Sequence, residues 1–166
     1  MIRKELSERM AIIGIVAVDQ NGAIGRGGSV PWHYSGDLKF FKRQTTGNAC
    51  VMGRRTWLSL NKPLPNRLNI VLSKESEIDV QDSVLVLRDK PSVLSLKPYL
   101  RCDLFIIGGR QVYETFDNEI DRWIVTEIPL AVSDADTFMP PDYLNGFKPY
   151  DSLELEDKLK VTFYEK

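Results

Sequence analysis

The chain is predicted to be α/β: one three-layer α/β/α domain with a mostly parallel central sheet of about eight strands, an antiparallel C-terminal edge and helices on both faces. Two patterns predict this. Short apolar runs alternate with helical stretches, the order produced by strand–helix–strand units. The early runs are apolar throughout, as in strands covered on both sides, whereas the last two alternate only in part. The 166 residues fit one ordinary domain, and no linker, repeat or low-complexity stretch divides them.

In chain order, MIRKELSER (residues 1–9) reads as an extension outside the sheet. Ala11–Val18 (AIIGIVAV) is an unbroken apolar run rich in β-branched residues, hence a strand buried on both faces. A helix is expected over Gly36–Thr46, a second strand over Ala49–Met52 and a helix over Thr56–Leu60. Leu68–Leu72, Val84–Leu87 and Leu104–Ile107 continue the strand series, with helices expected over Pro91–Leu100 and Gln111–Phe116. Trp123–Ile128 and Lys160–Tyr164 alternate partially and are expected to be antiparallel edge strands.

Composition narrows the function classes. Lys plus Arg number 22 against 23 Asp plus Glu, so there is no basic surplus of the kind nucleic-acid or membrane binding calls for. Cys50 and Cys102 are too few and too far apart for a disulfide framework or a zinc site, and both lie beside apolar runs. No run approaches a membrane span, and the charged N-terminus lacks the apolar segment of a secretory signal, so a cytoplasmic protein is expected.

In open α/β sheets ligands bind beyond the carboxyl ends of strands. The first strand is followed by DQNGAIGRGGSVPW (Asp19–Trp32), too long for a tight turn and with no GxGxxG; it is a binding lid or a surface excursion. The second is followed by MGRRTW (Met52–Trp57), where Arg54, Arg55 and Thr56 open a helix. Two guanidiniums there are unfavourable unless an anion is present, which points to a phosphate site or, if none binds, to a solvated pair. Ser73 and Lys74 end the third strand. IIGGRQVYETF (Ile106–Phe116) places two glycines at a strand–helix junction, suited either to close ligand approach or to tight packing. In VPWHYSGDLKFFKR (Val30–Arg43), Asp37 shares a helix face with Phe41 and has Leu38 beside it, so a carboxylate sits where burial is expected.

Taken in order, the Gly-rich loop ending in PW, then DLxxFK, MGRxTWxS, PLPxRxNIVLS and IGGxxVY resemble the dihydrofolate reductase family over about Ala11–Pro140, and more weakly at TFYEK. The resemblance implies reduction of dihydrofolate to tetrahydrofolate in one-carbon metabolism, with NADPH as cofactor and antifolate inhibitors as further ligands. The family is typically monomeric, and neither nucleic acid nor membrane is an expected partner. Asp37 would be the pterin-binding carboxylate, with Trp32 and Thr126 supporting hydrogen bonds around it; without the resemblance, Trp32 and Thr126 read equally as core residues. Burial should raise the Asp37 pKa and its helix-start position lower it, with burial the stronger because a closed pocket removes water.

By the same resemblance Ile13, Ile15, Leu38, Phe41, Leu60, Leu64, Ile107 and Tyr113 line the substrate pocket, and Arg67 binds the glutamate-tail carboxylate bidentately. The cofactor would meet Ile15, Ile24, Gly25, Gly53, Arg54, Arg55, Thr56, Leu72, Ser73, Lys74, Ile107, Gly108, Gly109, Arg110, Gln111, Val112 and Tyr113. The basic members favour NADPH over NADH through its extra phosphate. Gly108–Gly109 matches the family's cis glycine–glycine bond. No metal site is expected.

The chain departs from the family pattern in places. Val30 is shorter than the Met or Leu common in bacterial relatives. His33 is the sole histidine and is read as an exposed loop residue. Ser35 stands where proline is frequent, and Asn145–Lys160 is short for the family's terminal hairpin. The alternatives are a fold-sharing pyrimidine reductase of riboflavin synthesis, which would need a sugar-phosphate pocket in place of Asp37, Phe41 and Arg67, and a non-enzymatic binding module. Stabilisation by folate analogues would separate the first of these.

Overall fold

The computed structural model describes residues 10–75 and 82–166; the expected N-terminal extension lies outside them. In order, the elements are β1 Ile12–Val18, β2 Ala23–Gly25, α1 Ser35–Thr45, β3 Ala49–Gly53, α2 Arg54–Ser59, β4 Leu68–Leu72, β5 Val84–Leu87, α3 Lys90–Leu94, β6 Leu104–Gly108, α4 Arg110–Thr115, β7 Arg122–Glu127, β8 Thr137–Phe138, β9 Lys148–Glu154 and β10 Lys160–Glu165. Eight strands form one sheet in the order β5-β4-β3-β6-β1-β7-β10-β9, and β2 pairs with β8 in a small second sheet. From β5 to β7 the pairings are parallel; β10 runs antiparallel to both β7 and β9.

Alternation along the strands divides the core between the two faces of the sheet. Ile12 and Val16 of β1 join Val93 of α3, Val112 of α4 and Phe116 just after it on one side. Ile13 and Ile15 join Phe40 of α1 on the other, with Trp57 of α2 packed against them. The apolar runs were unbroken because both faces are covered, and the α/β architecture follows. At Gly14, a Cβ would lie 2.5 Å from the Trp123 ring, so only glycine lets β1 and that indole pack together.

Three sequence expectations need correction. β10 is no edge strand, since it lies between β7 and β9, and neither is β7: it pairs parallel with β1 from Ile13↔Arg122 to Val18↔Glu127, and Trp123–Thr126 are buried. Its alternation came from Thr126, a polar residue facing a cleft rather than the outside. The helix expected over residues 91–100 is α3 followed by a separate 3-10 turn, Lys97–Tyr99. Pro98 has no N–H to continue the helical ladder and its ring crowds the preceding turn. Within the Asn145–Lys160 region, β9 is seven residues long and pairs with β10 through a bulge at Phe163/Tyr164. All its residues are exposed, so no apolar period marked it.

Candidate active site

The carboxyl ends of the parallel strands open into one cleft of about 1390 Å³. Ala17 borders it from the end of β1, Gly53 from β3, Leu72 and Ser73 from β4, Arg88 just after β5, and Gly108 from β6. Helix α1 and the Asp19–Trp32 loop close the remaining sides.

That loop is an ordered lid, not a loose excursion. Arg26 and Ser29 exchange backbone hydrogen bonds of 2.9 and 3.2 Å around Gly27 and Gly28, whose φ values of 59° and 85° suit glycine. Gly27 N donates to Asp136 Oδ2 at 2.8 Å, and Arg26 pairs with Asp134 at 3.0 Å. At the root, the buried Asp19 carboxylate accepts from Asn21 N and Ala23 N at 2.8 Å and from Val132 N at 2.9 Å. Burial pushes the Asp19 pKa upward, but the three donors outweigh it and hold the group below the ordinary aspartate value.

Asp37 lies in the first turn of α1, half-buried at the cleft wall, with no cation partner among the described residues. Its pKa is raised: burial is the main cause, the Thr126 side chain pulls it back as a hydrogen-bond donor, and the Asp157 carboxylate adds repulsion. The raised direction is the one expected of burial. Thr126 is buried beside it on β7. Trp32 borders the same cleft, and its Nε1 is buried without a protein acceptor among the described residues. Val30 and Leu38 leave 57% and 53% of their surface open, apolar faces that a bound ring can cover. His33 is exposed on the same rim.

Most of the predicted site residues converge here: Ile15, Ile24, Gly25, Trp32, Asp37, Leu38, Phe41, Gly53, Arg54, Arg55, Thr56, Leu72, Ser73, Lys74, Ile107, Gly108, Gly109, Arg110, Gln111, Val112, Tyr113 and Thr126 all border the cleft. Ile13, Leu60, Leu64 and Arg67 do not. Ile13 is core, and Leu60 and Leu64 are half-buried against it. Arg67 lies behind Phe41, its guanidinium 5.9 Å from that ring. It is only 6% exposed, donating from Nε to Pro65 O at 2.9 Å and from Nη1 to Thr45 Oγ1 at 3.1 Å. No carboxylate among the described residues pairs with it. Tyr113 shows the cleft only its ring, since its hydroxyl donates to Ile15 O at 2.8 Å. Ser73 is likewise engaged, accepting from Glu75 N and donating to Glu75 O, both at 3.2 Å.

The opposite end of the cleft is basic. Arg54, Arg55, Lys74 and Arg88 rim it, with Arg54 bound to Glu75 at 3.1 Å. Helices α2 and α4 have only six residues each, so the side-chain charges, rather than helix dipoles, make this end attractive to an anion. The Gly108–Gly109 peptide bond is cis. A Cβ on Gly53 would lie 3.1 Å from the Val112 side chain, so glycine there lets the first turn of α4 pack closely against the end of β3.

Sequence reasoning missed three contributors. Arg88 follows β5 as Lys74 follows β4, so the rule of examining strand ends reaches it. Asn69 is fully buried in β4; its side chain accepts from Leu64 N at 2.9 Å and donates to Leu64 O at 3.0 Å and Arg67 O at 3.1 Å, which shapes the loop carrying Arg67. Asp157 reaches α1 across 121 residues of chain, and no local pattern announces that.

The profile of the family described as dihydrofolate reductase matches residues 11–164. The chain is 34% identical over 145 residues to the dihydrofolate reductase of Staphylococcus aureus, covering 87% of each. It is 37% identical over 116 residues to that of Bacillus subtilis, covering 69% of this chain and 67% of the other. Among solved structures, Enterococcus faecalis dihydrofolate reductase complexed with NADP(H) and RAB-propyl superposes with a TM-score of 0.85 at 29% identity, covering 93% of this chain and 95% of that one.

Proposed function

Because the chain belongs to the dihydrofolate reductase family, we propose that its cleft reduces dihydrofolate to tetrahydrofolate with NADPH. The observation that carries this reading is Asp37: a half-buried carboxylate, raised in pKa and without a cation partner among the described residues, on the wall of a largely apolar cleft. Such a group calls for a flat ligand that presents N–H donors along one edge, as the amino-pyrimidine side of a pterin does.

Bound NADPH supplies the hydride for the pterin imine carbon. The neighbouring ring nitrogen takes one proton, so each turnover consumes one hydride and one proton. Asp37 holds the opposite edge of the ring, and its negative charge favours protonation of the pterin; the proton itself arrives through water. Thr126 fixes the carboxylate's orientation. Ile15, Phe41 and Ile107 wall the ring, while Val30 and Leu38 cover it and exclude water. Arg67, behind Phe41 just outside the cleft and paired with no carboxylate among the described residues, suits the carboxylate of the substrate's glutamate tail where that tail leaves the cleft. Arg54, Arg55, Lys74 and Arg88 suit the cofactor's phosphates, including the one that distinguishes NADPH from NADH.

The test is dihydrofolate-dependent NADPH oxidation by the parent and by Asp37→Asn. The isosteric variant keeps the shape and loses the charge. It should lose at least about a hundredfold in kcat/KM, the scale of removing a preorganised charge partner. Parent-like activity in Asp37→Asn would rule out the role given to this carboxylate.

A further inference from the structure

Helix α1, which carries Asp37, has no side-chain cap of its own: Tyr34 stands at the N-cap position and makes no capping bond. The cap comes from the turn between β9 and β10. Asp157 Oδ2 accepts from Gly36 N, in the first turn of α1, at 3.0 Å. Its Oδ1 is buried without a partner among the described residues. The fit leaves no slack, since a Cβ on Gly36 would lie 2.5–2.6 Å from the Asp157 carboxylate atoms. The turn is itself anchored: Leu155 and Leu159 are buried in the core, and Leu155 N and Lys158 N close it with 2.8 Å bonds to Leu159 O and Leu155 O. Gly36 precedes Asp37 directly, so a fixed second carboxylate stands beside the one that faces the cleft.

We propose that Asp157 is a positioning residue for Asp37: it caps α1 from the β9–β10 turn and holds a second, fixed carboxylate beside the one that faces the cleft. The inference rests on the reading of Asp37 as the pterin carboxylate. Other groups around Asp37 do not replace this role. Thr126 on β7 is a neutral hydrogen-bond donor that acts in the opposite direction. Lys39 of α1 and Glu156 of the turn are exposed and pair with each other at 3.2 Å. His33 and Tyr34 reach the same rim of the cleft from the lid. Asp157 is the charged group that raises the Asp37 pKa by repulsion, second to burial among the raising causes. The arrangement couples the far hairpin to the site.

The decisive measurement is the side-chain carboxyl titration of Asp37 by NMR in the ligand-free protein, with its resonance assigned by its loss in Asp37→Asn. Asp157→Asn keeps an acceptor for Gly36 N and removes only the charge. Its Asp37 midpoint should fall by about half a pH unit to one unit, with a Tm close to the parent's. Gly36→Ala, whose methyl displaces Asp157, should move the midpoint in the same direction. Because turnover takes up a proton, the rate declines as pH rises through the site's apparent pKa, and that limb should shift to lower pH with the NMR midpoint. An unchanged Asp37 midpoint in folded Asp157→Asn overturns the proposal. A shifted midpoint in a protein that does not reduce dihydrofolate upholds the coupling and overturns the function assigned to Asp37 instead.

Discussion

At the scale of single residues, the site holds charges with no ion-pair partner among the described residues, and each has a measurable consequence. The Asp37 pKa is raised, so the ionised group costs stability above its folded pKa. That cost fades as pH falls through the folded pKa and is gone below the unfolded value of about 3.9. Asp37→Asn should therefore melt higher than the parent near neutrality, with about 2–4 °C gained per kcal/mol recovered. The two melting curves should converge as the pH approaches 4, and a gap that widens on acidification would contradict the assignment. Arg67 gives the complementary case. A lysine keeps the charge but not the fork and cannot reproduce both the Pro65 and Thr45 bonds. Arg67→Lys should raise KM for dihydrofolate by about tenfold to a hundredfold with little change in kcat. A truncated pterin substrate without the glutamate tail should show no difference between parent and variant.

At the scale of elements, the root of the lid is held by one buried carboxylate. With three backbone donors outweighing burial, Asp19 has a depressed folded pKa. Its contribution is therefore present above the unfolded value of about 3.9 and is lost as pH falls through the lower folded one. Asp19→Asn presents an amide N–H to one of these donors and should cost about 2 kcal/mol, or about 4–8 °C in Tm, at neutral pH. Hydrogen exchange should quicken first at Asn21, Ala23 and Val132; uniform protection across the lid would argue against this root. The same scale shows what the sequence could and could not reveal. β1, β3, β4 and β6 were legible because burial on both faces writes an unbroken apolar run. β9 was not, since it is a fully exposed edge strand, and β7 was misplaced because Thr126 turns a polar side chain into a cleft. The arginines and glycines of the site were legible because the strand ends that bring them together are local in sequence. Asn69 and Asp157 were not, because their importance lies in partners that only folding supplies.

At the scale of the whole molecule, the cleft divides into an end lined by Asp37, Phe41 and Leu38 and an end lined by Arg54, Arg55, Lys74 and Arg88, joined across Ile15 and Ile107. Each end should bind its own ligand and stabilise the native state by mass action. At a hundred times its Kd, a ligand adds about 2.7 kcal/mol, or about 5–11 °C in Tm for a chain of this size. NADPH should produce this shift, and a folate analogue should produce a comparable one in Asp37-containing protein only. NADH should do much less at the same concentration, because it lacks the phosphate whose charge the basic rim would meet. The ion pair of Arg54 with Glu75 is largely exposed and worth little, so the phosphate can displace Glu75 at small cost. Exposed charges are screened by salt, with a Debye length of about 3 Å at 1 M. The NADPH advantage over NADH should therefore shrink steeply with added salt, whereas the folate-analogue shift, carried by a partly buried carboxylate and apolar walls, should persist. Equal shifts from NADPH and NADH at low salt would mean that the basic rim is an ordinary solvated surface and that the extra phosphate is not read there.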